Sequence, residues 1–338
     1  MYLEIETETT IYETQFRYFQ VEITGKCNMA CIHCRATIQP GRDMSLDVLK
    51  TIARFGKKYL SKNGEMVISG GEPIAHRKFK DILSLVYDEG IPAISITSNG
   101  LLFRESIARE LRSISEKGMK VFVGFSLDSA VPQRHNEFRR NKKAFSGVER
   151  AIRVAKEFEI SFALRSTVFD TEDMAGIIKF AEENECECVA FSDVHPVGEA
   201  LNYPEYIMGR DEKIAFHEKV RDIQSDVLIG MNDPLYNVVS HCDGRNGCGA
   251  GVFTFNANVN GDITPCAFLP QTITNANEKI VQEIAEEYGK STIIHNLVEM
   301  TYSGKCGDCI NKSSCGGCRA RAFVATGDFL GEDPHCYY

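Results

Sequence analysis

Between residues 18 and 196 six short apolar runs recur, and a longer amphipathic or crossover segment follows each; this alternation restricts the fold more than any other feature of the chain. The runs are YFQVEIT (18–24), MVISGG (66–71), AISITSNG (93–100), KVFVGFSLDS (120–129), ISFALRSTVF (160–169) and CVAFSDVHP (188–196). Between them lie segments with apolar residues at helical spacing: 46–60, which Ser45 is placed to cap, then 78–89, 104–117, 144–157 and 173–184. Strands alternating with helices predict an α/β fold, a parallel sheet curled into a partial (β/α)6 barrel of the TIM type. The polar residues gather where each strand runs out, at 26–34, 69–73, 98–100, 126–129, 165–167 and 192–195. Strand C-termini share one face of such a barrel, and active sites are built there, so the pattern argues for an enzyme.

Composition narrows the function classes. The 338 residues are 43% hydrophobic and 25% charged, as in a soluble globular protein. A net charge of −9 argues against a general nucleic-acid binder, and Arg134, Arg140 and Lys143 read as a solvated turn. No apolar run approaches the roughly 18 residues of a membrane span, and the acidic start MYLEIETETT is unlike a secretory signal. The expected location is therefore cytoplasmic. In a reducing compartment the thirteen cysteines, an odd number, point to metal or cofactor binding rather than to disulfides.

The texture divides the chain into a barrel (1–198), a connector (199–240) with a helix near 211–223, and a region rich in Gly, Asn and Cys (241–338). That last region has little apolar material, so its fold is expected to depend on bound metal. The first cysteine group, Cys27, Cys31 and Cys34, follows the first strand as C-x3-C-x2-C. It admits two readings: a zinc site completed by a fourth ligand such as His33, or a 4Fe–4S cluster on three thiolates that leaves one iron open. In the C-terminal region stand Cys242, Cys248 and Cys266, then Cys306, Cys309, Cys315 and Cys318, then Cys336. The run C-x2-C-x5-C-x2-C taken alone also suits a zinc ribbon. Cys186 and Cys188 remain, at the start of the sixth strand, read as small strand residues or as one hydrogen-atom donor.

The CNMACIHC element resembles the hallmark of the radical S-adenosylmethionine (SAM) superfamily. SGGEP (69–73) is similar to the family's GGE element, and TSNG, FSLDS and LRST supply further matches on successive strands. The resemblance implies that the open iron binds SAM, whose cleavage yields a 5′-deoxyadenosyl radical. It also implies that Gly70, Gly71, Glu72, Asn99, Ser126 and Arg165 contact SAM, with His33 near the adenine. The C-terminal cysteines resemble the SPASM extension, which carries two auxiliary 4Fe–4S clusters. By that likeness one cluster takes Cys242, Cys248, Cys266 and Cys318, and the other takes Cys306, Cys309, Cys315 and Cys336. The spacing of two residues between Cys315 and Cys318 departs from the usual three. SAM and three 4Fe–4S clusters are thus the implied cofactors.

Two saturated clusters favour net oxidation of a C–H site on a peptide or small metabolite, with a flavodoxin- or ferredoxin-type electron donor as partner. Asp193 and His195, at the end of the sixth strand, are the expected catalytic bases. Ala267 stands where sulfatase maturases carry a catalytic Asp, which makes that activity an unsuitable reading. CIHCRA is similar to the cluster loop of enzymes that decarboxylate haem precursors. Only 26 residues precede Cys27, so no N-terminal peptide-binding domain is expected. A peptide maturase leads, with oxidative decarboxylation of haem-precursor propionates and sugar dehydrogenation or epimerisation as alternatives. Outside enzymes, the remaining readings are an iron–sulfur electron carrier and a zinc-bound interaction module.

Overall fold

The computed structural model describes residues 1–36, 41–240 and 247–338. An N-terminal hairpin, β1 (Leu3–Glu6) and β2 (Ile11–Thr14), precedes the sheet that organises the molecule. Six parallel strands follow in sequential spatial order: β3 (Phe16–Thr24), β4 (Leu60–Gly70), β5 (Ala93–Ser98), β6 (Lys120–Ser126), β7 (Ser161–Val168) and β8 (Cys188–Asp193). These are the six runs of the sequence. The crossovers are α1 (Leu46–Tyr59), α2 (Phe79–Asp88), α3 (Glu105–Glu116), the pair α4 (Pro132–Phe138) and α5 (Ala144–Glu157), and α6 (Met174–Glu183). Ser45 caps α1 as its position suggests, its hydroxyl accepting from Val48 N at 3.2 Å. The short helix α4, unread in the sequence, holds residues that matter to the site.

Side chains alternate along each strand. Val189 and Phe191 on β8, or Phe162 and Leu164 on β7, are buried beneath the helices. Their neighbours Cys188, Ala190 and Ser192, and Ala163, Arg165 and Thr167, form the opposite face, the lumen of the curled sheet.

The sheet has ten strands because the later chain returns to it. After α7 (Arg210–Arg221), β9 (Leu228–Met231) pairs parallel with β8. After α8 (Tyr236–Val239), β10 (Thr254–Ala257) pairs parallel with β3, at the other end of the six. Antiparallel β11 (Asp262–Thr264) and β12 (Thr274–Asn275) extend that end. The helices α9 (Val281–Gly289), α10 (Thr292–Glu299), α11 (Gly304–Asp308) and α12 (Arg319–Thr326) complete the chain. Phe255 of β10 stacks on Phe19 with ring centroids 5.1 Å apart and meets Phe16 edge-on at 4.7 Å, so the C-terminal region shares the barrel's apolar core. Among the described residues no helix is long and apolar enough to cross a membrane.

Candidate active site and cluster loops

The loop that carries Cys27, Cys31 and Cys34 leaves β3 and is fastened from below by the end of β4. Gly71 N donates to Thr24 O at 2.7 Å and Glu72 N donates to Lys26 O at 2.8 Å. A Cβ on Gly71 would stand 2.2 Å from Lys26 O, so only glycine permits this contact. The two glycines thus bring β4 against the cysteine loop. Glu72 is buried, and its carboxylate accepts from Ser98 Oγ at 2.9 Å, Asn99 N at 2.8 Å and Ile74 N at 3.3 Å. Asn99 in turn donates from Nδ2 to Asn28 Oδ1 at 2.7 Å, inside the cysteine loop. Three strand ends are welded to one loop by these bonds.

From the other side the loop is held by α4. Asp128 accepts two bonds from Arg139, at 2.5 and 2.9 Å, and a third from Thr167 N at 3.0 Å. Burial alone would raise the Asp128 carboxyl, yet the Arg139 guanidinium overrides it and holds the pKa at about 2. Arg139 also points Nη1 at Cys31 Sγ, 3.9 Å away. His33 lies between the last two cysteines and stacks on Phe138 at 4.5 Å, and Phe138 stacks on Phe169 at 4.3 Å. Burial, with the Arg139 charge, lowers the His33 pKa to about 3, so the ring is neutral. Sequence reasoning missed Arg139, His135 and Phe138. The signal lay in the residues of 132–139, which carry a proline at the first helical position and polar groups returning every four residues.

The residues present fit a cluster on three thiols. Burial pushes the Cys27 thiol up to about 11 and raises Cys31, and a cation bound to the sulfurs would favour the thiolates. Asn28 Nδ2 and His33 Nδ1, both in this loop, are buried without a hydrogen-bond partner among the described residues. Such atoms mark where a polar ligand belongs. On the lumen wall, Ser126 and Arg165 are register partners of β6 and β7, and the Arg165 stem lies over Gly124, 2.7 Å from where a Cβ would be.

The C-terminal thiols form two sets. Cys248, Cys266 and Cys318 lie within one another's electrostatic reach: burial first, and the other two thiols second, push Cys266 up to about 12. Cys242 lies outside the described residues. The second set, Cys306, Cys309, Cys315 and Cys336, lines a single cavity with Gly316 and Gly317. Asn311 N donates to Cys309 Sγ at 3.4 Å and Gly317 N to Cys315 Sγ at 3.3 Å. Among the described residues no three His, Cys, Asp or Glu side chains are gathered closely enough to hold a metal ion.

Asp193 and His195 are not the free bases expected at the barrel mouth. Alternation along β8 puts Asp193 on the same face as Phe191, away from the lumen. There its carboxylate pairs with the buried Lys213, which also reaches Asp233 at 3.1 Å. Burial works against the Asp193 charge, but Lys213 holds its pKa below the usual range. His195 stacks on Phe268 at 4.4 Å and sets Nε2 3.9 Å from Cys318 Sγ. Arg35, next to Cys34, donates to Glu22 at 2.6 Å and to Ala267 O at 3.5 Å, with its guanidinium 5.6 Å over Phe268. The segment after Cys34 therefore abuts the segment after Cys266. Cys188 faces the lumen opposite Gly230, and Cys186 is core.

Comparison with known proteins extends these observations. Residues 21–183 match the sequence model of the Radical SAM superfamily. Over 345 aligned residues, 94% of this chain and 95% of the relative, the chain is 27% identical to the AdoMet-dependent heme synthase of Methanosarcina barkeri. It is 25% identical over 315 residues to the antilisterial bacteriocin subtilosin biosynthesis protein AlbA of Bacillus subtilis, covering 88% of this chain and 66% of AlbA. Streptococcus suis SuiB, solved with its precursor peptide SuiA, has the same fold: the TM-score is 0.76 at 18% identity over 96% of this chain and 77% of SuiB.

Proposed function

The chain belongs to the radical SAM superfamily, and on that premise we propose that it is an oxidase whose two C-terminal thiol sets hold auxiliary 4Fe–4S clusters that drain an electron from the substrate. The observation that carries this reading is the bridge made by Arg35, which touches both Glu22 in the lumen and the Ala267–Phe268 segment beside Cys266. A substrate in the lumen mouth would then lie between the Cys27, Cys31, Cys34 loop and the inner C-terminal set, that of Cys248, Cys266 and Cys318, the set with Cys306 being the outer one. A reduced cluster on the three N-terminal thiols, with SAM, supplies one-electron hydrogen-abstraction chemistry.

The chain's own residues do the positioning. Glu72, Asn99 and Asn28 keep the cysteine loop rigid, and Arg139 neutralises charge at Cys31. Ser126 and Arg165 offer a hydroxyl and a cation on the lumen wall to the carboxylate of SAM. Phe268 and His195 form an aromatic wall that keeps water from the inner thiols. Asp193 acts through Lys213 as a tie between β8 and the C-terminal region.

The substrate reading we favour is a propionate side chain of a tetrapyrrole, because the likeness to heme synthase runs over 94% of this chain and 95% of the relative. Conversion of a propionate to a vinyl group releases CO2 and gives up one hydrogen atom and one electron, which this arrangement would accept. Modification of a peptide is the second reading, favoured by AlbA and by the fold of SuiB. Anaerobic reconstitution is expected to load about twelve irons per chain, four for each of three clusters. Reduction with SAM should then release 5′-deoxyadenosine and, with a propionate-bearing porphyrin, CO2. Zinc in place of iron, or no SAM cleavage, would sink the oxidase reading; SAM cleavage with product only from peptide would transfer it to the second substrate. Cys31→Ala should abolish cleavage while leaving about eight irons bound.

A further inference from the structure

Arg319 is the first residue of α12, wholly buried, and surrounded by neutral groups. Its Nη1 donates to Gly331 O at 2.7 Å and Phe329 O at 3.1 Å, and Nε donates to Gly317 O at 3.4 Å. The guanidinium lies 4.2 Å over the Tyr302 ring. Nη2 donates to Cys306 Sγ at 3.4 Å, and the backbone N–H and charge of Arg319 also act on the Cys248 thiol. Among the described residues no carboxylate stands within ion-pair distance of it. Carbonyls satisfy its donors but supply no net charge, and a permanently charged guanidinium buried without a counter-ion is strongly unfavourable.

The sequence clears the way for this contact. Gly317, the second glycine of CGGC, has φ +62°, and a Cβ there would stand 2.6 Å from Arg319 Nη2 and 3.1 Å from Cys306 Sγ. No larger residue leaves the guanidinium its path to the thiol.

Arg321, two residues on and as deeply buried, is placed differently. It bonds Asp233 at 2.6 and 3.1 Å and Asp333 at 2.7 and 3.0 Å. Lys213 and Asp193 extend the same network, and Asp333 accepts from Cys318 N at 2.7 Å. In this network two cations (Arg321, Lys213) meet three carboxylates (Asp193, Asp233, Asp333), so Arg321 is compensated where Arg319 is not; Asp333 acts on Cys318, and Asp233 and Asp333 both act on Cys315. Beside the outer set, Arg319 is uncompensated and Lys312 lines the same cavity, with Asp333 the one side-chain carboxylate among the described lining residues.

We propose that Arg319 is a built-in counter-ion for an anionic group held by Cys306, Cys309, Cys315 and Cys336, and that its charge makes this outer set easier to reduce than it would be without it. The proposal rests on the reading that both sets hold iron–sulfur clusters. A positive charge at hydrogen-bond distance from a ligating sulfur favours the more negative, reduced state.

The test is a redox titration followed by electron paramagnetic resonance on the full-length reconstituted protein, comparing Arg319→Gln and Arg319→Lys with the parent. Arg319→Gln is expected to shift the outer set at least tenfold against reduction, about 59 mV for one electron, with the SAM-binding set unmoved. Arg319→Lys, which keeps the charge but not the fork, should stay nearer the parent. Loss of about four irons in Arg319→Gln alone, with Arg319→Lys fully loaded, would also support the counter-ion role. An unchanged outer potential in Arg319→Gln would overturn it, as would equal iron loss in both variants, which would make Arg319 a structural fork. A parent protein with iron only at Cys27, Cys31 and Cys34 would instead overturn the cluster reading itself.

Discussion

Glu72 and Asp128 are both buried carboxylates of the cysteine-loop scaffold, and their surroundings drive them in opposite directions. Burial pushes Glu72 up from 4.5 to about 7, with its three hydrogen-bond donors pulling only part of the way back. Between those pH values the folded chain keeps a proton that the unfolded chain has released. The stability Glu72 contributes is therefore full below pH 4.5 and lost as pH rises through 7, a span of about 3 kcal/mol. In urea unfolding of the metal-free chain, Glu72→Gln should flatten this slope, and an unaltered slope would count against the assignment. Asp128 has its strong partner in Arg139, so its contribution is present above pH 3.8 and fades as pH falls through about 2. The sequence places both carboxylates at strand ends, but nothing in it distinguishes the one beside a guanidinium from the one beside neutral donors.

At the scale of elements, the end of β4 acts as the floor of the cysteine loop. Gly71→Ala would drive a Cβ into Lys26 O, a backbone atom that has no flexible end to move aside. Loop and strand end must part, so this variant should lose the SAM-binding cluster and SAM cleavage while keeping whatever iron the parent holds on its C-terminal thiols; iron counting and 5′-deoxyadenosine release measure both. Full SAM cleavage in Gly71→Ala would show that the contact is dispensable. The period of two in β8 explains why Asp193 is not a lumen base. Val189, Phe191 and Asp193 share one face, and the same alternation could have been applied to the sequence. Helix α4 was harder to see, since seven residues are too few for helical periodicity to stand out.

Across the whole molecule, a buried charge network joins barrel to C-terminal region. Lys213 of α7, fully buried, bonds Asp193 of β8 and Asp233, and Asp233 bonds Arg321 of α12. Lys213→Met leaves two buried carboxylates short of a cation, and the expected loss is about 3–5 kcal/mol in chemical denaturation. A loss below about 1 kcal/mol, the surface-pair range, would show the network to be unimportant. The parallel pairing of β10 with β3, and Phe255 against Phe16 and Phe19, work to the same end through apolar contact.

The division between what could be read early and what could not follows from the range of the interactions. Strand and helix periods and cysteine spacing are local, and they determined the six-stranded barrel, the three thiols at its mouth and the cysteine-rich region beyond. The strands β9 and β10 are four residues each, too short to announce themselves, and their places at the two ends of the six are decided by long-range pairing. Charge compensation is likewise a tertiary matter. Arg319 and Arg321 are two residues apart in one CRARA stretch, yet one finds two carboxylates and the other a thiol, because only the folded chain brings Asp233 and Asp333 to the second and Cys306 to the first.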